Sequence, residues 1–191
     1  MVVGERFAWG HLGKTAGDAT LGLFQLFPEL IVFADAPTEN AKHTRFSGRR
    51  ELVEGKVLAL NIRRLPSWVV SFAIDRAAAT GAPLWPAEEL AGTDLPDRKL
   101  HSWLDDGPGV DHWLRVEHLA DDFLTFISVF APVTRTRRWH VRVQALRRVN
   151  AHKYDHRISR WLTRKQLAAL YERNPLWKSI EQEIYSGIRL S

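Results

Sequence analysis

A glycine-rich turn between a predicted strand and a predicted helix decides the fold of this chain. The stretch reads Ala8-Trp9-Gly10-His11-Leu12-Gly13-Lys14-Thr15-Ala16-Gly17-Asp18-Ala19. Glycine lets the backbone bend tightly and approach a ligand closely. The N–H groups that follow lie at the start of a helix and point at an anion, and the ammonium of Lys14 adds a positive charge. The stretch therefore predicts a phosphate-binding loop.

Outside this loop, apolar runs alternate with helical patterns. The predicted strands are Glu5–Gly10, Leu30–Ala34, Lys56–Arg63 and His112–Glu117. The predicted helices are Gly17–Phe27, Pro66–Thr80, Arg98–Leu104, Asp121–Phe130, Thr134–Val149, Thr163–Arg173 and Pro175–Gly187, the last two with caps at Thr163 and Asn174. Lys56–Arg63 is a near-continuous apolar run, which is typical of a central parallel strand covered on both faces. The alternation predicts an α/β layered fold with a parallel sheet.

Composition sets the bounds on domain number, compartment and partners. A length of 191 residues predicts a single domain over residues 1–191. No apolar run approaches the ~18 residues of a membrane helix, so no membrane partner is expected. The chain has no cysteine, which excludes disulfides, thiolate nucleophiles and cysteine-ligated metals and suits a cytoplasmic protein.

Charge is unevenly distributed along the chain. The net charge is +5, but residues 131–173 alone carry +10, with twelve Arg or Lys side chains against Asp155 and Glu172. Such asymmetry favours an anionic partner for this segment. One alternative function is therefore a basic module that binds nucleic acid or another polyanion.

A second alternative is a P-loop kinase or nucleoside triphosphatase. Gly13-Lys14-Thr15 matches the end of the Walker A pattern G-x4-G-K-[ST], although Ala8 stands where its first glycine should be. Asp35 follows four apolar residues, as the Walker B aspartate does.

A different family fits the same loop better. His11 to Gly17, read as His-x-x-Lys-Thr-Ala-Gly, resembles the 5'-phosphosulfate loop of sulfotransferases that use 3'-phosphoadenosine 5'-phosphosulfate (PAPS). The resemblance implies a three-layer P-loop-like fold with a central, mainly parallel sheet flanked by helices. It also implies that the phosphosulfate is bound by Gly13, Lys14, Thr15, Ala16, Gly17, Asp18 and Ala19. The last two stand where relatives usually have hydroxyl residues, so only their backbone N–H groups can serve.

Arg63 and Ser71 form a second motif across a strand-to-helix turn. Their spacing resembles the 3'-phosphate site of sulfotransferases, where the pair selects PAPS over ATP-like nucleotides. Relatives commonly have a proline two places after the arginine, but here Pro66 is three places after Arg63, so Arg64 is kept as an alternative. The resemblance further implies that Lys153 lies in a basic loop over the 3'-phosphate.

The resemblance also implies a general base. His43 stands in the loop where many sulfotransferases place the histidine that takes the acceptor proton, and Glu39 and Glu51 are the nearby carboxylate alternatives. The expected reaction is sulfuryl transfer from PAPS to a hydroxyl or amine of a small molecule or glycan, with 3'-phosphoadenosine 5'-phosphate (PAP) as product. No metal and no nucleic-acid partner are expected, and the sequence does not name the acceptor or the oligomeric state.

Overall fold

The structure of this chain is a computed structural model that describes residues 1–36, 43–105, 109–131, 140–143 and 154–186. The chain divides into two compact units. One comprises Met1–Ile62 with Trp103–Asn150, and the other comprises Arg63–Ser102 with Ala151–Ser191. The single domain over residues 1–191 stays a prediction.

Five strands of the first unit form one mixed sheet. They are β1 (Val2–Val3), β2 (Phe7–Gly10), β3 (Phe33–Ala34), β4 (Val57–Ile62) and β5 (His112–Arg115). The strand order is β3-β1-β2-β4-β5. The pairs β2·β4 and β4·β5 are parallel, and β1 is antiparallel to both β2 and β3. All strands but β1 therefore run in one direction.

Helices flank this sheet and build the second unit. In chain order they are α1 (Gly17–Phe24), α2 (Arg50–Val53), α3 (Leu65–Thr80), α4 (Ala87–Gly92), α5 (Leu95–Leu104), α6 (Leu119–Ser128), α7 (Arg164–Arg173) and α8 (Pro175–Ile184). The predicted α/β class is confirmed by this arrangement. No helix among the residues described is long and apolar enough to cross a lipid bilayer.

Aromatic side chains fill the core of the first unit, where α1 and α6 meet the sheet. Phe24 of α1 stacks on Phe7 of β2 at 5.7 Å between ring centroids and meets Phe123 of α6 edge-on at 4.9 Å. All three side chains are buried. Since a fully buried phenylalanine contributes about 1.5–3 kcal/mol of transfer free energy, this cluster fixes the C-terminal end of α1 against β2.

The order in which the chain adds strands to the sheet changes sides at β2. From β2 it passes through α1 to β3 on one side, and it then returns to β4 on the other side of β2. In α/β sheets, ligands bind outside the carboxyl ends of strands at such a switch point. Residues 11–16, which carry the predicted phosphate loop, directly follow the carboxyl end of β2.

The prediction of a strand over Leu30–Ala34 is confirmed only for its last two residues. Leu30 ends a short 3₁₀ turn, and only Phe33 and Ala34 form a strand, at the edge of the sheet. Val32, expected to be buried, is 68% exposed. The place beside β2 is taken by β1, whose two residues are too few to give a periodic pattern.

In the second unit, the predicted cap at Thr163 is confirmed and the predicted cap at Asn174 is corrected. The capping box of Thr163 and Gln166 opens α7, and Gly81, with φ of 69°, ends α3. Asn174 makes no side-chain cap to α8. The N–H groups of Leu176 and Trp177 instead donate to the carboxylate of Asp97, at 2.9 and 2.8 Å. The sequence interpretation missed this cap because its acceptor lies about 80 residues earlier in the chain.

Asn174 has a different role in the same unit. Its side-chain amide donates to the carbonyl oxygens of Thr93 and Leu170 and accepts from the N–H of Asp97. It thereby ties α7 to the start of α5.

Several predicted helices differ in extent from those of the structure. The helix expected at Arg98–Leu104 begins earlier, at Leu95, and α4 lies in a stretch predicted to be irregular. The last helix ends at Ile184. Most of the helix predicted at Thr134–Val149 lies outside the described residues, of which 140–143 are helical.

Candidate functional site

The predicted phosphate loop has an unusual backbone. Lys14 and Ala16 both adopt the left-handed conformation, with φ of 64° and 58°, and Thr15 between them keeps a negative φ. Non-glycine residues held in this conformation cost on the order of 1–3 kcal/mol each and cluster at functional sites. Alternating φ signs turn successive N–H groups toward one concavity, which is a common way of binding anions.

Four carbonyl oxygens of the loop accept hydrogen bonds from donors of the protein itself. The pairs are His43 Nδ1 with His11 O at 2.9 Å, Thr15 Oγ1 with Leu12 O at 2.5 Å, Asn61 Nδ2 with Thr15 O at 2.7 Å, and Thr20 N with Ala16 O at 3.0 Å. Because these oxygens accept hydrogen bonds within the protein, their negative partial charges do not repel an anion bound at the loop. Helix α1 then begins at Gly17, and its first-turn N–H groups have no intrahelical acceptor.

Gly17 is required by the packing of His11. A Cβ at position 17 would lie 1.7 Å from His11 Nε2, far inside van der Waals contact. The His11 ring is buried and stacks on Trp9 with a centroid distance of 5.7 Å. His11 of the motif is therefore a packing residue, and its ring positions the loop relative to β2.

Thr15 contributes to the loop in a way that disfavours the kinase alternative. Its side chain is 0% exposed and its hydroxyl donates to Leu12 O, so only its backbone N–H can face a ligand. In P-loop enzymes the equivalent hydroxyl holds Mg²⁺. The proposed Walker B residue, Asp35, follows edge strand β3 and is paired with the Met1 ammonium at 2.9 Å and with Arg49 at 3.7 Å.

The structure brings His43 to the same loop. Its Nδ1 lies 2.9 Å from the carbonyl oxygen of His11, and the two imidazole centroids are 4.5 Å apart. A carbonyl oxygen can only accept, so Nδ1 carries the proton and Nε2 of the neutral ring carries the lone pair. This tautomer is the one that a general base acting through Nε2 needs. Of the carboxylate alternatives, Glu51 lies exposed on α2, and Glu39 lies outside the described residues.

In the second unit, the two adjacent arginines have different surroundings. Arg64 pairs with the buried carboxylate of Glu181 at 3.1 Å, and its guanidinium lies 4.3 Å from the ring centroid of Tyr185. Nη2 of Arg63 donates a hydrogen bond to the hydroxyl oxygen of Tyr154 at 3.0 Å. Its Nε is buried and has no hydrogen-bond partner among the residues described. These contacts assign Arg64 to the scaffold and favour Arg63 as the anion-binding group.

Glu181 connects several parts of the second unit. It accepts hydrogen bonds from the N–H of Leu65 at 2.8 Å and from the hydroxyl of Tyr171 at 2.9 Å, in addition to the Arg64 pair. Burial raises the pKa of its carboxyl, and the hydrogen bonds and the charge of Arg64 offset this only in part. The first N–H of α3 is thus capped by a carboxylate from α8.

Glu181→Gln should change how stability depends on pH. Since the pKa of Glu181 is raised on folding, the folded chain binds its proton more tightly than the unfolded chain does. The resulting contribution to the free energy of unfolding is complete when the pH lies below the ordinary carboxyl pKa of 4.5. It is lost as the pH rises through the raised pKa of Glu181 in the folded chain. Urea unfolding between about pH 2 and 8 should therefore show the wild type losing stability relative to the variant with rising pH.

Asp122→Asn is the matched control with the opposite sign. Burial alone would raise the pKa of Asp122, but hydrogen bonds from the side chain and N–H of Arg115, with its charge, lower it overall. Its contribution is present above the ordinary value of 3.8 and is lost as the pH falls through the lowered folded value. Difference curves of the same sign for both variants would contradict this assignment.

The remaining predicted residues are placed as follows. Asp18 and Ala19 lie in the first turn of α1, and both are partly buried. Ser71 lies in α3, also partly buried. Lys153 lies outside the described residues, as do half of the twelve basic side chains of residues 131–173. Arg157 and Arg160, which are described, both pair with Asp155.

Two residues of these sites were missed by the sequence analysis. Asn61 holds the loop from β4, and Tyr154 contacts Arg63. A single polar residue inside the apolar run of β4 is a signal that could have identified Asn61, whereas Tyr154 has no local signal.

Comparison of the chain with known proteins gave no match to a family model, a curated protein or a solved structure.

Proposed function

We propose that this chain is a sulfotransferase that moves a sulfuryl group from PAPS to a hydroxyl or amine of a small-molecule or glycan acceptor. The observation that carries the proposal is the loop after β2, in which Lys14 and Ala16 are left-handed and the carbonyl groups are held by protein donors. His43 lies against this loop in the tautomer of a base. The mixed α/β sheet supports the three-layer P-loop-like fold that the proposal includes.

In this proposal the first unit performs the chemistry. PAPS supplies the sulfuryl group and leaves as PAP. The S–O bond to the 5'-phosphate breaks while sulfur bonds to the acceptor, and the acceptor proton goes to Nε2 of His43. Lys14 and the N–H groups of residues 13–19 neutralise the negative charge that grows on the departing phosphate. The transfer requires no metal ion.

Arg63 is the residue proposed to give selectivity for the 3'-phosphate. Arg63 has a buried Nε without a partner among the described residues, which fits a group that awaits an anionic ligand. A guanidinium can bind a phosphate through two parallel hydrogen bonds. Ser71 and Lys153 are the further ligands proposed for this phosphate.

The proposal is tested by thermal-shift titration with PAP, ADP and ATP side by side. PAP should stabilise the protein well beyond ADP at equal concentration, because only PAP carries the 3'-phosphate as well as the 5'-phosphate. Equal stabilisation by PAP and ADP, or stabilisation by ATP that depends on magnesium, would overturn the proposal in favour of the kinase alternative.

Arg63→Ala and Arg64→Ala should separate ligand binding from stability. Arg63→Ala should weaken PAP binding by about 1.5–3 kcal/mol, the usual loss for a charged hydrogen-bonding partner, with little change in stability. Arg64→Ala should instead lower the unfolding free energy by about 1–3 kcal/mol, because it leaves Glu181 buried without its cation. Calorimetry with PAP and urea unfolding measure the two effects. Normal PAP affinity in Arg63→Ala together with weak binding by folded Arg64→Ala would show that Arg64 is the ligand.

A further inference from the structure

We propose that Asn61 of β4 is a positioning residue that sets the orientation of the anion-binding loop. By holding one peptide group of the loop, Asn61 turns the N–H of Ala16 toward the bound sulfonate or phosphate. The identity of that ligand rests on the function proposed above. The clamp, by which we mean the hydrogen bonds that Asn61 makes to the loop, rests on contacts within the first unit.

The side chain of Asn61 is 0% exposed and makes three hydrogen bonds. Its Nδ2 donates to Thr15 O at 2.7 Å and to Thr20 Oγ1 at 2.6 Å, and its Oδ1 accepts from Trp9 Nε1 at 2.8 Å. The indole N–H can only donate, so it fixes which end of the amide faces Trp9. The amide hydrogens are thereby directed at the loop.

The geometry of the peptide bond converts this contact into an orientation of the loop. Residues Thr15 and Ala16 share a peptide group, and no peptide bond described is cis. In a trans peptide the C=O and N–H point in opposite directions. Because Asn61 holds the Thr15 carbonyl oxygen toward the core, the Ala16 N–H points away from the core, into the concavity of the loop.

Ala16 is fixed on its other side as well. Thr20 donates both its N–H and its hydroxyl to the Ala16 carbonyl oxygen, at 3.0 and 3.1 Å. The same hydroxyl accepts the second Asn61 hydrogen. The amide of Asn61 therefore reaches both peptide groups of Ala16, directly on one side and through Thr20 on the other.

The clamp also accounts for the strained backbone. A left-handed alanine is strained, and satisfied buried hydrogen bonds offset such strain. The two donor bonds of Asn61 therefore help to hold Ala16 at φ of 58°. An amide at this place in an apolar strand would otherwise destabilise the fold, because burying an unsatisfied polar group is costly.

Asn61→Asp is the sharpest test, because the carboxylate can still accept from Trp9 but can no longer donate to Thr15. Leu114→Ala is the matched control: it removes buried volume from the neighbouring strand β5 and affects no side-chain hydrogen bond. Two quantities are measured for each protein. One is hydrogen exchange of the peptide spanning residues 12–20 without ligand, and the other is the dissociation constant for PAP.

When the two variants have lost the same global stability, hydrogen exchange in residues 12–20 should be faster in Asn61→Asp than in Leu114→Ala. Asn61→Asp should also raise the dissociation constant for PAP by about tenfold or more. Exchange equal to that of Leu114→Ala, or wild-type affinity for PAP, would overturn the positioning role. If the wild type itself does not bind PAP, the proposed function fails, and the exchange data still decide whether Asn61 holds the loop. Asn61→Leu, which lacks both donor and buried charge, replaces Asn61→Asp if that variant does not fold.

Discussion

Lys14→Ala should lower kcat by about 10²-fold or more, the effect seen when a group that stabilises transition-state charge is removed. The charge on the departing 5'-phosphate is larger in the transition state than in the bound donor, so an ammonium beside it acts mainly on the rate. The left-handed backbone of Lys14 places this side chain in the loop that follows β2. Single-turnover kinetics with saturating PAPS measure the chemical step, and calorimetry with PAP measures binding.

Lys56→Ala is the matched control for this variant. Lys56 lies in the same unit and its ammonium donates to the carbonyl oxygen of Glu5, so its loss removes one positive charge without touching the loop. Its kcat should stay within about twofold of the wild type, since exposed charges contribute little. A normal kcat in Lys14→Ala, with weaker PAP binding only, would restrict Lys14 to holding the ligand.

Local patterns in the sequence predicted the centre of the first unit well. The apolar run at Val57–Ile62 forms central strand β4, and the glycine-rich loop follows β2 into α1 as expected. In the second unit, the capping box at Thr163 forms as predicted, because all of its donors and acceptors lie within four residues. Such features depend on neighbouring residues, so a single sequence is enough to find them.

Features that depend on distant partners could not be predicted in the same way. Arg63 and Arg64 are adjacent and chemically identical, and they differ in distant partners such as Glu181, which lies 117 residues beyond Arg64. The cap of α8 likewise comes from Asp97 rather than from Asn174. In each case the energy comes from a buried carboxylate that is satisfied by groups far along the chain.

Asn61 and β1 show two further reasons why sequence patterns fail. Asn61 interrupts an apolar strand for a contact with a loop 46 residues earlier, and periodicity treats it only as a weaker strand residue. Strand β1 is so short that no alternation can form, yet it displaces β3 to the sheet edge. The strained conformations of Lys14 and Ala16 also have no propensity signal, because alanine and lysine rarely adopt them.

His43→Ala should lower turnover by about 10²–10⁴-fold, the range for loss of a positioned general base. The Nδ1 proton of His43 is held by the His11 carbonyl oxygen, so its removal takes away the lone pair at Nε2 that would receive the acceptor proton. Steady-state kinetics with saturating PAPS measure this loss of turnover.

The controls for His43 separate catalysis from support of the loop. Because His43 also donates to His11, its loss could loosen the loop, and the variant must therefore keep the wild-type affinity for PAP and the wild-type melting temperature. Glu51→Gln tests the exposed carboxylate on α2 and should turn over at close to the normal rate. If His43→Ala is active while Glu51→Gln is dead, the base is a carboxylate and the assignment of His43 is wrong. The proposed sulfuryl transfer would survive that result, because PAP binding and the role of Lys14 do not depend on which group takes the proton.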